Sequence, residues 1–97
     1  MDLKTACQIL KANKPQLTKK YKMKSLGIFG SYSRGEQKKG SDLDILVEYK
    51  ETPGFFGLLE AEDHLGKLLG VKVDLVTKGS VTNPYISKSI RKEVVMV

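Results

Sequence analysis

The chain has 97 residues, and 17 Lys and Arg against 11 Asp and Glu give it a formal net charge of +6. This length provides for one hydrophobic core, so we expect a single domain over residues 1–97. One cysteine excludes an intramolecular disulfide, and no apolar run approaches the ~20 residues of a membrane span. We expect a cytoplasmic protein without membrane contact. The basic charge fits nucleic acid, an acidic partner or a solvated surface, and charge alone does not separate these.

The N-terminal third is predicted to hold a helix and a strand. Apolar residues at helical spacing predict a helix from Asp2 to about Asn13. Pro15 is expected to interrupt it, with a short further turn over Leu17–Tyr21. Cys7 lies on the apolar stripe and is predicted to be a small core residue rather than a nucleophile. The β-favouring residues of Met23–Phe29 predict the first strand.

Three further elements follow in the middle of the chain. Ser31–Arg34 is predicted to form one or two helical turns that Gly35 ends. Asp42–Tyr49 alternates apolar and polar residues and is predicted to be the second strand. Phe55–Leu69 has the pattern of an amphipathic helix packed on a sheet, with His64 solvated on its polar side. Val71–Thr77 is predicted to be the third strand.

The C-terminal part is predicted to contain one more helix. Asn83 would cap it and Pro84 would occupy its first turn. Its buried stripe is expected to consist of Tyr85, Ile86, Ser89 and Ile90. The apolar tail Val94–Val97 is expected to be an edge strand or a contact surface. The element order predicts an α+β (layered α/β) fold with a small sheet flanked by helices.

Two carboxylates open the second strand. Asp42 and Asp44 are two residues apart, so they point to the same face of a strand. Adjacent like charges favour a bound cation, and hard oxygen ligands suit Mg²⁺ or Mn²⁺. Asp74 joins them if the third strand lies beside the second, and three carboxylates can hold two metal ions. Asp74 would then hold the metal of the attacking hydroxyl or accept its proton.

A tight turn follows the first strand. Gly30 lets a phosphate approach the backbone, and Ser31 adds a hydroxyl and an N–H at the start of a short helix. Arg34 lies one helical turn further on, where it reaches either a phosphate or a carboxylate, Glu36 or Glu48. The turn and the carboxylates together favour chemistry on a metal-bound nucleoside triphosphate.

The combined motif resembles a known family. The segments Gly30–Glu36 and Ser41–Val47 resemble the signature of the polymerase-beta-like nucleotidyltransferases, and more narrowly of the minimal nucleotidyltransferases. Val73–Val76 resembles the strand with the third carboxylate, and Pro84–Val94 resembles the closing helix. The resemblance implies the nucleotidyltransferase fold, with a mixed sheet. It also implies Gly30 and Ser31 on the triphosphate and the three aspartates as Mg²⁺ ligands.

The resemblance also implies a biological role. Small stand-alone members of this family act as antitoxins to HEPN-domain ribonuclease toxins by transferring AMP from ATP to a toxin tyrosine. We therefore expect an Mg²⁺-dependent protein adenylyltransferase that uses ATP, acts on a HEPN partner and forms a hetero-oligomer with it or a homodimer. Two alternatives remain open. One is an antitoxin that neutralises its partner by binding alone, and the other is a basic nucleic-acid-binding domain.

Overall fold

A computed structural model describes all residues from Met1 to Val97, and it contains a four-stranded sheet with helices around it. The helices are α1 (Leu3–Tyr21), α2 (Ser31–Arg34), α3 (Phe55–Leu69) and α4 (Pro84–Glu93). The strands are β1 (Met23–Phe29), β2 (Leu43–Tyr49), β3 (Val73–Thr77) and β4 (Val95–Met96). The strand order is β3-β2-β1-β4, with β2 and β3 parallel and the other pairs antiparallel. This mixed sheet with flanking helices confirms the predicted fold class.

Helix α1 continues through Pro15, so the prediction that it stops near Asn13 is wrong. A proline inside a helix removes one backbone hydrogen bond. Pro15 lies on the exposed side of α1, where water can replace that bond, and Leu17 beyond it is buried in the core. Packing of the buried face of α1 therefore stabilises the helix beyond the proline. Asp2 caps the start, because its carboxylate accepts the Thr5 N–H at 2.9 Å.

One face of the sheet is covered by α1 and α3, and we call it the covered face. Strand β2 directs Leu43, Ile45 and Val47 into this layer, and all three are fully buried. Fifteen buried residues form one cluster there, and no charged residue is buried with them. Cys7 was predicted to be a small core residue, but it is only half-buried and packs against the margin of this cluster. The apolar alternation of the sequence thus defines the covered face.

The opposite face, which we call the open face, is only partly covered by α4. The predicted buried stripe of α4 is wrong for three of its four residues. Ile90 is buried, whereas Tyr85 is 84% exposed, Ile86 is 54% exposed and Ser89 is exposed. The contacts of α4 are concentrated in its last turn, because that turn leads directly into β4 at the edge of the sheet. Its first turns therefore present apolar side chains to solvent.

The C-terminal residues form an edge strand, which was one of the two predicted alternatives. Strand β4 pairs antiparallel with β1, with Gly27 opposite Met96. A Cβ atom at Gly27 would lie 2.6 Å from the Val94 side chain, so a larger residue here would require the C-terminal segment to shift. Lys14 Nζ adds a hydrogen bond of 2.8 Å to the carbonyl of Val97. This strand attaches the end of α4 to the β1 edge of the sheet.

The other edge of the sheet is formed by β3. The outward N–H of Leu75 donates to the Glu62 carboxylate of α3 at 3.0 Å, so a side chain occupies this part of the strand edge. No helix of the structure combines the length and the apolar character that a membrane crossing requires.

Candidate active site

The sheet register brings the three predicted carboxylates together. In the parallel pairing of β2 and β3, Asp44 lies opposite Asp74. Directly paired residues of neighbouring strands point to the same face, so both side chains lie on the open face. Asp42 lies just before β2, at the end of the sheet where β2 and β3 begin. The expectation that Asp74 joins the Asp42–Asp44 pair from the neighbouring strand agrees with this register.

The carboxylates affect one another electrostatically. Partial burial raises the pKa of Asp44, and the nearby charges of Asp74 and then Asp42 raise it further. The positive charge of Arg34 acts in the opposite direction. Lys72 lies beside the outermost carboxylate, with its Nζ 3.9 Å from Asp42 Oδ2. The start of β2 is therefore a place where negative charge is crowded and only partly balanced.

This donor set fits a hard divalent cation by ligand type and by charge. Carboxylate oxygens are the ligands that Mg²⁺ prefers, and a cation would relieve the crowding at Asp44. The side chains do not yet converge, since no three His, Cys, Asp or Glu side chains stand in a metal-binding arrangement. Asp42, Asp44 and Asp74 are thus aligned by the backbone register and would have to close around an ion.

Gly30 connects the turn to these carboxylates. Its φ of +76° and ψ of −151° belong to a region that glycine alone adopts readily. A Cβ atom here would also collide with the Asp44 carboxylate. The backbone of the turn therefore lies directly against the side chain of Asp44. The two ends of the sequence motif, separated by a loop in the chain, form one site.

Helix α2 follows Gly30 as a single turn. The Gly30 carbonyl accepts the backbone N–H groups of Ser33 at 3.1 Å and Arg34 at 3.3 Å, and the Ser33 hydroxyl donates to it at 2.9 Å. Gly35 ends the helix with a φ of +70°, as predicted. Ser31 is half-buried at the first position of this turn. Its hydroxyl and backbone N–H belong to the same turn that lies against Asp44.

Glu93 is a site residue that sequence reasoning missed. Its Oε1 accepts the Gly30 N–H at 3.1 Å, and its Oε2 accepts Arg34 Nη1 at 2.9 Å. Arg34 also donates to Glu36 at 3.2 Å, and these two acceptors, Glu93 first, raise the pKa of its guanidinium. Of the two carboxylates suggested for Arg34, Glu36 is therefore a partner, while Glu48 lies 3.9 Å from Lys78.

A signal for Glu93 was present in the sequence. It lies in the last turn of α4, where the negative end of the helix dipole disfavours a carboxylate, so its position requires a cationic or N–H partner. That partner is the turn at Gly30 and Arg34, more than fifty residues earlier in the chain. Periodicity along one helix does not reveal a contact of this range.

His64 lies away from this site, on α3. It was predicted to be solvated, and this is wrong in detail because it is half-buried and its Nδ1 lies 2.7 Å from the Tyr21 hydroxyl. The two rings meet edge to face with centroids 5.4 Å apart. The histidine therefore joins α3 to α1 behind the covered face, with no contact to the carboxylates.

The open-face carboxylates beside a glycine-serine turn are the arrangement of the nucleotidyltransferases, and the chain belongs to this family. The family model for the nucleotidyltransferase domain matches residues 7–97. A relative in Methanocaldococcus jannaschii, provisionally named a protein adenylyltransferase, is 55% identical over 89 residues, which cover 92% of this chain and 91% of the relative. The prediction that this chain is a nucleotidyltransferase of the protein adenylyltransferase type is therefore confirmed.

Solved structures agree with this assignment. A structure provisionally described as a minimal nucleotidyltransferase superposes with a TM-score of 0.78 at 30% identity, covering 98% of this chain and 95% of that one. A toxin–antitoxin structure with AMP-PNP superposes with a TM-score of 0.69 at 28% identity, covering 93% of this chain and 67% of that one. The fold and the predicted family are therefore confirmed.

Proposed function

We propose that this chain transfers AMP from ATP to a tyrosine hydroxyl of a partner protein in an Mg²⁺-dependent reaction. The partner would be a HEPN-type ribonuclease toxin, which the modification would silence, so that the chain acts as an antitoxin. One observation carries the proposal most directly. The register places Asp44 and Asp74 side by side, with the backbone of Gly30 against Asp44.

The proposed roles follow from position. Gly30 and Ser31 would bind the triphosphate, because their turn lies beside the carboxylates and Gly30 has no side chain to block a phosphate. The Gly30 N–H, which donates to Glu93 in this structure, would then exchange that partner for a phosphate oxygen. Asp42, Asp44 and Asp74 would hold Mg²⁺, which would neutralise phosphate charge when bound. Arg34 would contribute positive charge near the phosphates, although it is held by Glu93 and Glu36 in this structure.

The proposed transfer is a displacement at the α-phosphorus of ATP. The acceptor oxygen forms a bond to the α-phosphorus of ATP, the bond to the bridging oxygen breaks, and pyrophosphate leaves. The hydroxyl proton must be removed as this bond forms. Asp74 is exposed and lies on the strand beside the Asp42–Asp44 pair, so it can take this proton or orient the acceptor at the rim of the site.

The similar proteins support the nucleotide and the setting. The relative that is 55% identical carries the adenylyltransferase name, which points to ATP as the donor. The toxin–antitoxin structure at 28% identity contains AMP-PNP, an ATP analogue. Both support a role in which this chain uses ATP to modify the protein that it controls.

Label transfer tests the proposal. The chain is incubated with ATP labelled at the α-phosphate, Mg²⁺ and the protein encoded beside it, and we expect label on that protein. Asp42→Asn with Asp44→Asn should abolish transfer, whereas the matched pair Glu60→Gln with Asp63→Asn on α3 should retain it. Transfer that survives the first pair, or no transfer by the unaltered chain, would contradict the proposal.

Neutralisation by binding alone remains a second candidate, because one feature of α4 favours it. Tyr85 and Ile86 are largely exposed and could take part in a stable protein complex. This candidate predicts that cells carrying Asp42→Asn with Asp44→Asn remain protected from the toxin. Loss of protection by that variant, with the complex intact, would exclude it.

A further inference from the structure

A basic groove adjoins the carboxylate site at the end of the sheet where β2 and β3 begin. It has a volume of about 600 Å³, and its charged lining consists of Lys38, Lys39 and Lys72. No acidic side chain lines it. Lys72 also lies 3.9 Å from Asp42, so this lysine groove continues directly into the proposed catalytic site.

The lysines of the groove are presented by a defined turn. Ser41 closes it twice, since its hydroxyl accepts the Lys38 N–H at 2.9 Å and its own N–H donates to the Lys38 carbonyl at 2.9 Å. Gly40 allows the turn with a φ of +87°. Lys38 and Lys39 are exposed and form no salt bridge, unlike Lys22 and Lys67 elsewhere on the surface. Their charges are therefore available to a ligand.

Gln37 supplies a second feature of the groove. It belongs to the lining, and its Oε1 is buried without a hydrogen-bond partner. This atom has almost no accessible surface, and the Nε2 of the same side chain donates to the Met1 carbonyl at 3.5 Å, so Gln37 belongs to the wall of the groove. The groove's charge therefore comes from its lysines, which favour an anionic ligand. Because Lys72 lies beside Asp42, an anionic segment of the acceptor protein suits this position best.

We propose that the lysine groove binds an acidic peptide segment that flanks the acceptor hydroxyl and thereby positions the acceptor protein for transfer. The inference rests on the proposed function, and it adds what that function leaves open, namely how so small a chain recognises its substrate. Gly30 and Ser31 do not line the groove, so nucleotide and peptide can bind at the same time.

A peptide titration tests the binding step without any catalysis. The probe is Glu-Glu-Tyr-Glu-Glu, and the comparison is Gln-Gln-Tyr-Gln-Gln, each added to ¹⁵N-labelled protein. We expect the acidic peptide to shift the amide signals of Lys38, Lys39 and Lys72 and the neutral peptide to leave them unchanged. Lys38→Ala with Lys39→Ala should weaken acidic-peptide binding by about three- to tenfold, the effect of one or two partly exposed charge pairs.

A matched variant controls for net charge. Lys11→Ala with Lys19→Ala removes the same charge from exposed positions of α1 outside the groove, and it should bind the acidic peptide as the unaltered chain does. Equal weakening by both pairs would overturn the proposal, because it would show a general charge effect. Acidic-peptide shifts confined to other residues would overturn it as well.

The kinetic test separates the groove from the nucleotide site. With the acceptor protein and ATP, Lys38→Ala with Lys39→Ala should raise the KM for the acceptor about three- to tenfold and leave the KM for ATP unchanged. A raised KM for ATP would assign the lysines to the triphosphate and overturn the proposal. Stronger shifts with a pentauridine RNA than with the acidic peptide would assign the groove to RNA and overturn it too. Peptide binding without label transfer would contradict only the proposed function.

Discussion

The two faces of the sheet use the same strands for different purposes. On the covered face, alternate residues of β2 are fully buried apolar side chains that hold α1 and α3 in place. On the open face, the intervening residues of the same strand include Asp44, whose pKa is raised by partial burial and by its acidic neighbours. Burial of apolar area stabilises the first face, whereas like-charge crowding disfavours the second. The covered face supplies the stability that allows the open face to carry a strained site.

The largest expected effect tests this division on adjacent residues of β2. Ile45→Ala should lower the free energy of unfolding by about 2–5 kcal/mol, because it leaves a cavity in the covered face. Leu46→Ala, on the half-buried open face, should cost clearly less. Urea denaturation measures both. Equal losses would show that the two faces contribute alike to stability.

A second comparison uses two glycines with positive φ at either end of α2. Gly30→Ala and Gly35→Ala each place a side chain in a left-handed conformation, at a cost of about 1–3 kcal/mol. Only Gly30→Ala also collides with Asp44, while a Cβ at Gly35 meets nothing within 4 Å. We expect Gly30→Ala to abolish label transfer and Gly35→Ala to retain it. Comparable activity of the two variants would contradict the contact between the turn and Asp44.

A third prediction concerns the carboxylate that attaches α4 to the site. Glu93→Ala removes the partner of both the Gly30 N–H and Arg34 and should cost about 1–2 kcal/mol in unfolding free energy. Glu36→Ala removes only an exposed partner of the same arginine and should cost well under 1 kcal/mol, as about 0–1 is usual for surface pairs. Thermal denaturation compares them. Equal costs would remove Glu93 from the list of site residues.

The smallest expected effect concerns the charge of Asp44. A carboxyl group whose pKa is raised on folding binds more protons in the folded state, so it lowers stability as the pH rises through the folded pKa. Asp44→Asn should therefore stabilise the protein slightly at pH 7 in EDTA, by less than about 1 kcal/mol because the carboxylate is only partly buried and solvent screens its acidic neighbours. Lowering the pH should reduce this difference, and a destabilised variant would contradict it.

Metal addition tests the same carboxylate, but here the unaltered chain is expected to gain stability relative to Asp44→Asn. Mg²⁺ that binds only the folded protein should raise the melting temperature of the unaltered chain. It should have no such effect on Asp44→Asn, which lacks one proposed ligand. Asp63→Asn, an exposed change on α3, serves as the control and should respond as the unaltered chain does. An equal response of all three proteins would place the ion elsewhere.

The sequence predicted the parts of this molecule that depend on local pattern. The alternation of β2 and the signature around Gly30 and Asp44 predicted the fold and the residues that we propose for the site. The continuation of α1 past Pro15 was not predictable, because the contact of Leu17 with the core decides it. The exposure of Tyr85 and the role of Glu93 depend on where α4 lies across the sheet, and a tertiary position of this kind leaves no periodic signal in the helix itself.

The edges of the sheet have a consequence for how copies of this chain can associate. At one edge, Glu62 already occupies the outward N–H of Leu75, and at the other edge β4 is only two residues long. Both features hinder a strand from a second molecule from extending the sheet, the pairing through which many β-proteins aggregate. Any oligomer that this chain forms should therefore contact through helix surfaces and side chains, and it should dissociate without disturbing the sheet.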